Sequence, residues 1–377
     1  MQNQQTRFGT PGLIGMHGCE KMAEKIDRYL CESDMKIQDD SILLEYICHR
    51  FANGEGKGVI NHTVRGYDLY ILADMFNHGV TYRMYGKNVP MGPDNHFQDL
   101  KRIIAATNGK ARRINVIMPL LYEGRQDCRY NRESLDCALA LQELVRMGVE
   151  NIITFDAHDA RVQNAIPLAG FENIRPAYQM IRALIRDNAD NILLDKDNIL
   201  IVSPDEGGME RCIYYSDVLD VELSMCYKIR DHTRYDEDGR NPVDKHEFLG
   251  GDLNGRDVIV VDDIIDSGTS ILKVANTLKS ENNAGRIFVF ASFGLFSAGL
   301  DKFDDAYKQG VIERIYSTNL IYQTPELLER GSSWYRSVDM SKFLAYIIKH
   351  LNYDHSISEL LHPRTKIKKL IDEARKA

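Results

Sequence analysis

Two adjacent aspartates at the end of an apolar run are the strongest chemical signal in this sequence. Residues 258–261 are all β-branched and predict a buried strand, and Asp262 and Asp263 follow them directly. A helix is predicted over residues 270–280, and small and hydroxyl residues form the turn before it: Asp266, Ser267, Gly268, Thr269 and Ser270. The free amides of a helix N-terminus, together with these hydroxyls, suit a phosphate dianion.

A carboxylate pair beside a phosphate cradle predicts a particular kind of ligand. Carboxylates repel phosphate, but they accept hydrogen bonds from the vicinal hydroxyls of a sugar. A ligand with a vicinal diol for the carboxylates and a phosphate for the turn is a ribose 5-phosphate. The alternative is a capped helix with two acids near its positive end. The presence of strand, acids, turn and helix in one segment favours the sugar phosphate.

A loop in the first half of the chain carries side chains suited to a nucleotide. Arg125, Gln126 and Asp127 follow a strand predicted over residues 116–119. Arginine suits bidentate contact with phosphate oxygens, and glutamine and aspartate can contact a base or fix the orientation of the arginine. An ion-pair network is an equally good interpretation of this loop.

Two further loops carry possible cation ligands. His158 lies between Asp156 and Asp159, after a strand predicted over residues 151–155, and this group suits a divalent cation or triphosphate oxygens. Asp205 follows a second strand and precedes two glycines, which permit a close backbone approach to an anion. The alternatives are a structural histidine and a plain turn.

A fifth group could contact a purine. Phe51 could stack on the base while Asn53 and Glu55 form hydrogen bonds with it. An Asn-Gly turn is at least as good an explanation of the same residues.

The elements that must position these groups alternate along the chain. Strands are predicted over residues 116–119, 151–155, 198–202, 258–261 and 286–292, and helices over residues 20–30, 134–147, 178–186 and 270–280. Buried strands alternating with helices are typical of an α/β protein with mainly parallel sheets. Two such series are present, and a boundary near Pro176 predicts domains at residues 8–175 and 176–377.

The most polar stretch, residues 230–252, has two interpretations. Its charged residues, glycines and proline are typical of a solvated loop. A long loop in a compact domain is also often a lid over an active site.

Composition excludes several classes of protein. The 377 residues carry a net charge of −8, which argues against a nucleic-acid partner. The seven cysteines form no Cys-x-x-Cys pair, which argues against a disulfide scaffold or a zinc knuckle and favours a reduced compartment. We find neither a signal-like N-terminus nor an apolar run that could span a bilayer. A cytoplasmic protein without a membrane partner is therefore expected.

The five groups, in this order and spacing, resemble the ribose-phosphate pyrophosphokinase family from about Gly12 to Leu361. The resemblance implies an α/β fold of two tandem type I phosphoribosyltransferase-like domains, each a mainly parallel sheet flanked by helices. It also implies a homo-oligomer, either a hexamer or a related assembly of dimers. The implied reaction moves the β,γ-diphosphoryl group of Mg-ATP to the anomeric hydroxyl of ribose 5-phosphate, leaving AMP.

The resemblance also implies roles for individual residues. Adenine would be contacted from a neighbouring subunit by Phe51, Asn53 and Glu55, and ATP would be held by Arg125, Gln126, Asp127 and His158. Mg²⁺ would be bound by His158 and Asp205. Ribose 5-phosphate would be bound by Asp262, Asp263, Asp266, Ser267, Gly268, Thr269 and Ser270. The catalytic residues would be Lys228 and Arg230, in a lid at about residues 227–252.

Several departures mark this chain as a divergent member of that family. Ile229 stands where a third basic residue is usual, the lid is longer, and an insert lies near residues 85–96. Two alternatives therefore remain: a phosphoribosyltransferase that consumes phosphoribosyl diphosphate, and a catalytically silent regulatory homologue.

Overall fold

A computed structural model describes residues 7–32, 41–129, 131–188, 192, 194–230 and 243–374. The described residues fall into two compact units. The first unit comprises the described parts of Met1–Arg175, Leu320–Tyr322 and Asp339–His362; the second comprises those of Pro176–Asn319, Gln323–Val338 and Pro363–Ala377.

Strands and helices alternate through both units. The strands are β1 (Thr10–Gly15), β2 (Tyr46–Arg50), β3 (Gly56–Ile60), β4 (Tyr67–Leu72), β5 (Thr81–Met84), β6 (Lys87–Pro90), β7 (Arg113–Ile117), β8 (Asn151–Phe155), β9 (Gly170–Ile174), β10 (Ile199–Ser203), β11 (Glu222–Arg230), β12 (Val243–Leu249), β13 (Asp257–Ile265), β14 (Ile287–Gly294), β15 (Arg314–Thr318) and β16 (Tyr335–Val338). The α-helices are α1 (Glu20–Glu32), α2 (Pro93–Ala106), α3 (Asp136–Arg146), α4 (Ala177–Asp187), α5 (Met209–Leu219), α6 (Thr269–Ser280), α7 (Asp301–Lys308), α8 (Pro325–Arg330), α9 (Ser341–Asn352), α10 (Ser358–Leu361) and α11 (Arg364–Ala374).

The first unit is built on a five-stranded sheet in the order β1-β4-β7-β8-β9. Every neighbouring pair in this sheet is parallel, so the carboxyl ends of all five strands meet at one edge. All five residues of β7 are buried, as expected for a strand inside a parallel sheet. Two antiparallel hairpins, β2–β3 and β5–β6, form separate two-stranded sheets.

The second unit is built on a seven-stranded sheet in the order β12-β11-β10-β13-β14-β15-β16. All neighbours are parallel except β12, which lies antiparallel to β11 at the edge of the sheet. The carboxyl ends of β11, β10 and β13 therefore lie side by side. Ligands of open α/β sheets bind at such an edge.

Each predicted strand and helix coincides with an element of the structure, although the strand predicted over residues 116–119 lies at Arg113–Ile117. Two further details are corrected. The strand predicted to end at residue 261 continues to Ile265, because Asp262 and Ile264 pair with Ala291 and Phe293 of β14. The two aspartates therefore lie within the strand and not directly after it.

The second correction concerns the polar stretch at residues 230–252, which was predicted to be a loop. Its C-terminal part forms β12, which pairs with β11 and brings the buried side chains of Cys226 and Phe248 opposite each other. Residues 231–242 of the predicted lid lie outside the described residues.

No helix in the described part of the chain has both the length and the apolar character needed to cross a membrane.

A fully buried carboxylate links several segments of the first unit. Asp68 of β4 accepts hydrogen bonds from Arg113 Nε and Nη2 of β7 at 2.7 and 2.8 Å. Tyr70, Asn115 and Asn352 also donate to it, at 2.7, 2.8 and 2.9 Å. Since Asn352 ends α9, this network fastens a late segment of the chain to two central strands.

We expect Arg113→Met to destabilise the first unit by about 3–5 kcal/mol, because it leaves a buried carboxylate without its cation. The matched control is Arg112→Met, since Arg112 is the exposed neighbour in sequence and its loss should cost less than about 0.5 kcal/mol. Urea unfolding followed by far-ultraviolet circular dichroism measures both. Equal losses for the two variants would show that the network does not contribute to stability as described.

Candidate functional site

The carboxylate pair near the end of β13 lies beside a buried arginine. Asp262 Oδ1 lies 3.9 Å and Asp263 Oδ1 lies 3.7 Å from Nη1 of Arg211, which is in the first turn of α5. Only 8% of the Arg211 side chain is exposed, against 23% for Asp262 and 8% for Asp263. The Asp263 amide also donates to Asp262 Oδ1 at 2.9 Å. The Arg211 guanidinium thus forms ion pairs with two neighbouring carboxylates.

Proximity and burial change the acidity of this pair. Burial raises the pKa of Asp262 well above its usual range, and the charge of Asp263 and a hydrogen bond between the two carboxyl groups raise it further. Arg211 acts in the opposite direction and lowers the pKa of Asp262. The negative charge of Asp205 also raises it, which places all three carboxylates in one electrostatic group.

Asp205 reaches this group because β10 is the parallel neighbour of β13. The loop after β10 folds back on itself: Ser203 Oγ donates to the Asp205 carbonyl oxygen at 2.7 Å, and the Gly208 amide donates to Asp205 Oδ1 at 3.1 Å. These bonds fix the half-buried Asp205 carboxylate at the start of α5. The position agrees with the predicted placement after a strand.

The turn between β13 and α6 is shaped by one glycine. Gly268 adopts a positive φ of 77°, and a Cβ added there would lie 2.1 Å from Cζ of the buried Phe303. Asp266 accepts a hydrogen bond from the Ser297 hydroxyl, and the exposed Thr269 and Ser270 open the helix. The turn therefore places exposed hydroxyls at the N-terminus of α6, where an anion is favoured.

The backbone of β11 carries Lys228 and Arg230 to the same edge of the second unit. Lys228 pairs with His246 of β12, and the register shifts between Ile229 and Arg230. β11 is the parallel neighbour of β10, and Met225 pairs with Ser203, the last residue of β10. Lys228 and Arg230 follow Met225 in β11, so they lie beyond the carboxyl end of β10.

In the first unit, the loops after β7 and β8 lie at one edge. Asp159 starts a 3₁₀ helix over Ala160–Ala165, where its carboxylate accepts from the Arg161 amide at 2.8 Å. Hydrogen bonding from Arg161 lowers the pKa of Asp159. The Arg161 side chain also donates to Asp159, from Nε at 2.9 Å; this bond raises the pKa of Arg161, and the charge of Asp127 in the neighbouring loop raises it further. The structure thus brings the predicted 125–127 and 156–159 loops together.

Within these loops, backbone bonds hold some residues and leave the side chains beside them exposed. The Gln126 amide donates to the Glu123 carbonyl oxygen at 2.8 Å, while the Arg125 side chain is exposed. Asp156 has a positive φ of 43°, and its amide donates to the Ile174 carbonyl oxygen of β9 at 2.9 Å. His158, two residues later, is exposed.

Phe51, Asn53 and Glu55 lie elsewhere, on the turn of the β2–β3 hairpin. The Asn53 side-chain amide donates to the Glu55 carboxylate at 2.8 Å, and the Glu55 amide donates to Asn53 Oδ1 at 3.1 Å. The Asn-Gly turn is therefore present. The Phe51 side chain, 46% exposed, lies edge-on to His49 with ring centroids 5.0 Å apart.

Arg211 was not among the predicted site residues. The available signal was an arginine in the first turn of a helix that follows a strand end and two glycines. A cation is unfavourable at that positive helix end unless an anion faces it.

Within the described ranges, no group of three or more His, Cys, Asp or Glu side chains could hold a metal ion.

Comparisons with known proteins agree with this arrangement. The family described as the N-terminal domain of ribose phosphate pyrophosphokinase matches residues 12–148, and the phosphoribosyl transferase domain family matches residues 170–329. Ribose-phosphate pyrophosphokinase of Mycoplasmopsis pulmonis is 30% identical over 316 residues, covering 82% of this chain and 86% of that protein. The enzyme of the same name from Shewanella oneidensis is 27% identical over 352 residues, covering 92% and 98%.

A solved structure shares the fold. The phosphoribosylpyrophosphate synthetase from Mycobacterium smegmatis superposes with a TM-score of 0.71 at 20% identity, covering 91% of this chain and 98% of that one. Together with the two tandem family matches, this confirms the predicted α/β fold of two domains.

We expect Gly268→Ala to destabilise the second unit by about 2–4 kcal/mol, for two reasons. Alanine is strained in the left-handed conformation of residue 268, and its Cβ would clash with Phe303. Gly299→Ala is the matched control, because its φ is also positive, at 80°, but an added Cβ would meet nothing within 4 Å. Its cost should be about 1–2 kcal/mol. Trp334 is the sole tryptophan and stacks on Phe303, so its fluorescence reports unfolding of this region. Equal costs would contradict the described packing.

Proposed function

This chain belongs to the ribose-phosphate pyrophosphokinase family, and from that premise we propose that it transfers the β,γ-diphosphoryl group of Mg-ATP to ribose 5-phosphate. The products are phosphoribosyl diphosphate and AMP. The single observation that carries the proposal is the end of β13, where a carboxylate pair beside a buried arginine precedes a helix-opening turn.

Ribose 5-phosphate is assigned to the second unit, within the predicted domain at residues 176–377. Asp262 and Asp263 accept hydrogen bonds from the ring hydroxyls of the sugar, since carboxylates are strong acceptors. The 5-phosphate is assigned to the turn at residues 266–270, where first-turn amides and the dipole of α6 favour an anion.

ATP is assigned to the domain at residues 8–175. Arg125 neutralises phosphate oxygens, while Gln126, Asp127 and His158 orient the nucleotide from adjacent loops. Phe51, Asn53 and Glu55 are assigned to contact adenine from a neighbouring subunit, and their exposed positions on the turn of the β2–β3 hairpin are consistent with this role. A homo-oligomer, hexameric or built from dimers, is part of this proposal.

Mg²⁺ is the proposed cofactor, and the donor chemistry of the chain fits it. Mg²⁺ that accompanies a nucleotide usually takes one or two carboxylates together with phosphate oxygens and water, so it needs no dedicated protein cage. Asp205 offers a half-buried carboxylate and His158 an exposed imidazole. The ion supplies positive charge that stabilises the phosphate oxygens during transfer.

The chemical step forms a bond between the anomeric oxygen and the β-phosphorus and breaks the bond from that phosphorus to the oxygen of AMP. The anomeric hydroxyl gives up its proton to solvent. Lys228 and Arg230 are the proposed catalytic residues, whose charge stabilises the oxygens of the transferring group. The lid at about residues 227–252 would exclude water during the step.

The other expectations stay within the proposal. We expect the cytoplasm as the compartment, since the seven cysteines form no Cys-x-x-Cys pair, and we expect neither a nucleic-acid nor a membrane partner.

The direct test incubates the purified protein with Mg-ATP and ribose 5-phosphate and quantifies AMP and phosphoribosyl diphosphate together. Equimolar appearance of both supports diphosphoryl transfer. Neither product, across a range of Mg²⁺ and phosphate concentrations, would favour a silent regulatory homologue. Consumption of phosphoribosyl diphosphate with a purine base, without AMP from ATP, would favour a phosphoribosyltransferase.

In the same assay, we expect Lys228→Ala to lower kcat by about 10²–10³-fold and to change both KM values by less than about threefold, because its charge acts mainly in the transition state. Lys302→Ala, at an exposed position on α7, serves as the control and should retain the wild-type rate. A raised KM for ATP with an unchanged kcat would show that Lys228 binds substrate and is not catalytic.

A further inference from the structure

The guanidinium of Arg211 is placed where a cation is costly. It lies in the first turn of α5, whose N-cap is Gly208, so the helix dipole opposes its charge. Its side chain is also 92% removed from solvent, since only 8% is exposed. Burial of a charge at such a point requires compensation from nearby anions.

The compensation comes from two carboxylates at once. Nη1 of Arg211 lies 3.9 Å from Asp262 Oδ1 and 3.7 Å from Asp263 Oδ1. Both distances exceed that of a hydrogen bond but lie within the range of an ion pair, so this attraction is electrostatic. The guanidinium faces Oδ1 of both groups and reduces the repulsion between them.

The packing of α5 makes this placement rigid. Cys212, the next residue, is fully buried, and its thiol lies 3.4 Å from the carbonyl oxygen of Val261 in β13. Gly208, before the helix, donates its amide to Asp205 at 3.1 Å. The helix start is therefore fixed on both sides of Arg211, which anchors the backbone from which its buried side chain extends.

We propose that Arg211 is a positioning residue for ribose 5-phosphate, whose positive charge holds the carboxyl groups of Asp262 and Asp263 together as acceptors for the two ring hydroxyls. The proposal rests on the function proposed above and adds to it a residue that does not itself contact the sugar. Without the guanidinium, the two carboxyl groups repel each other more strongly, and their separation removes an acceptor from the diol.

The test compares Arg211→Lys, which keeps the charge, with Arg211→Gln, which keeps polarity and approximate length without it. Binding of ribose 5-phosphate is measured calorimetrically without nucleotide, and KM and kcat are measured with Mg-ATP. We expect Arg211→Gln to weaken ribose 5-phosphate binding and to raise its KM by about tenfold or more, with kcat and the KM for ATP changed by less than about threefold. Arg211→Lys should recover most of the loss.

The control is Arg182→Met, which removes an exposed arginine from α4 of the same unit and should leave every parameter at the wild-type value. Equal ribose 5-phosphate affinity in the Lys and Gln variants would overturn the charge-based role, whether both match the wild type or both are weakened. A fall in kcat alone would also overturn it. Failure of the proposed function is distinguishable, because it would appear in the wild-type protein as the absence of both ribose 5-phosphate binding and product, and it would overturn this inference too.

Discussion

Three carboxyl groups lie at one edge of the second sheet, and the buried guanidinium of Arg211 reduces the repulsion between two of them, Asp262 and Asp263. Asp205 follows β10 while Asp262 and Asp263 lie in β13, and the parallel pairing of these two strands brings them together. Arg211 reaches the pair because the loop after β10 turns directly into α5. The strand order thus places the acids at this edge, and the position of α5 places a positive charge beside them.

The same geometric rule organises the first unit. Parallel pairing of β7 with β8 brings the loop at residues 125–127 beside the loop at residues 156–159. Backbone bonds to β9 and within each loop fix their course, so exposed side chains such as Arg125 and His158 are displayed from a rigid base. In each unit, the candidate site residues therefore lie on or next to loops that a buried parallel sheet holds in place. Such loops can differ in sequence while the sheet beneath them stays the same.

Local patterns predicted most of what lies within one segment. Four β-branched residues indicated the strand before Asp262, and the small residues at 266–270 indicated the turn, whose Gly268 has the expected positive φ. Properties that depend on distant partners were not predictable. The strand continues beyond residue 261 because β14 offers partners there, and Arg211 matters because α5 packs beside β13. Likewise, no local pattern shows that α9 packs in the first unit, since Asp68 and Asn352 are far apart in sequence.

The central claim is that the end of β13 binds the sugar. The most direct measurement is calorimetric binding of ribose 5-phosphate, without nucleotide, to the wild-type protein and to the double variant Asp262→Asn/Asp263→Asn. Asp305→Asn, an exposed position on α7, is the control. The account predicts that the double variant binds at least about tenfold more weakly, since each charged hydrogen bond contributes about 1.5–3 kcal/mol, while the control is unchanged. Equal affinity in the double variant and the wild type would contradict it.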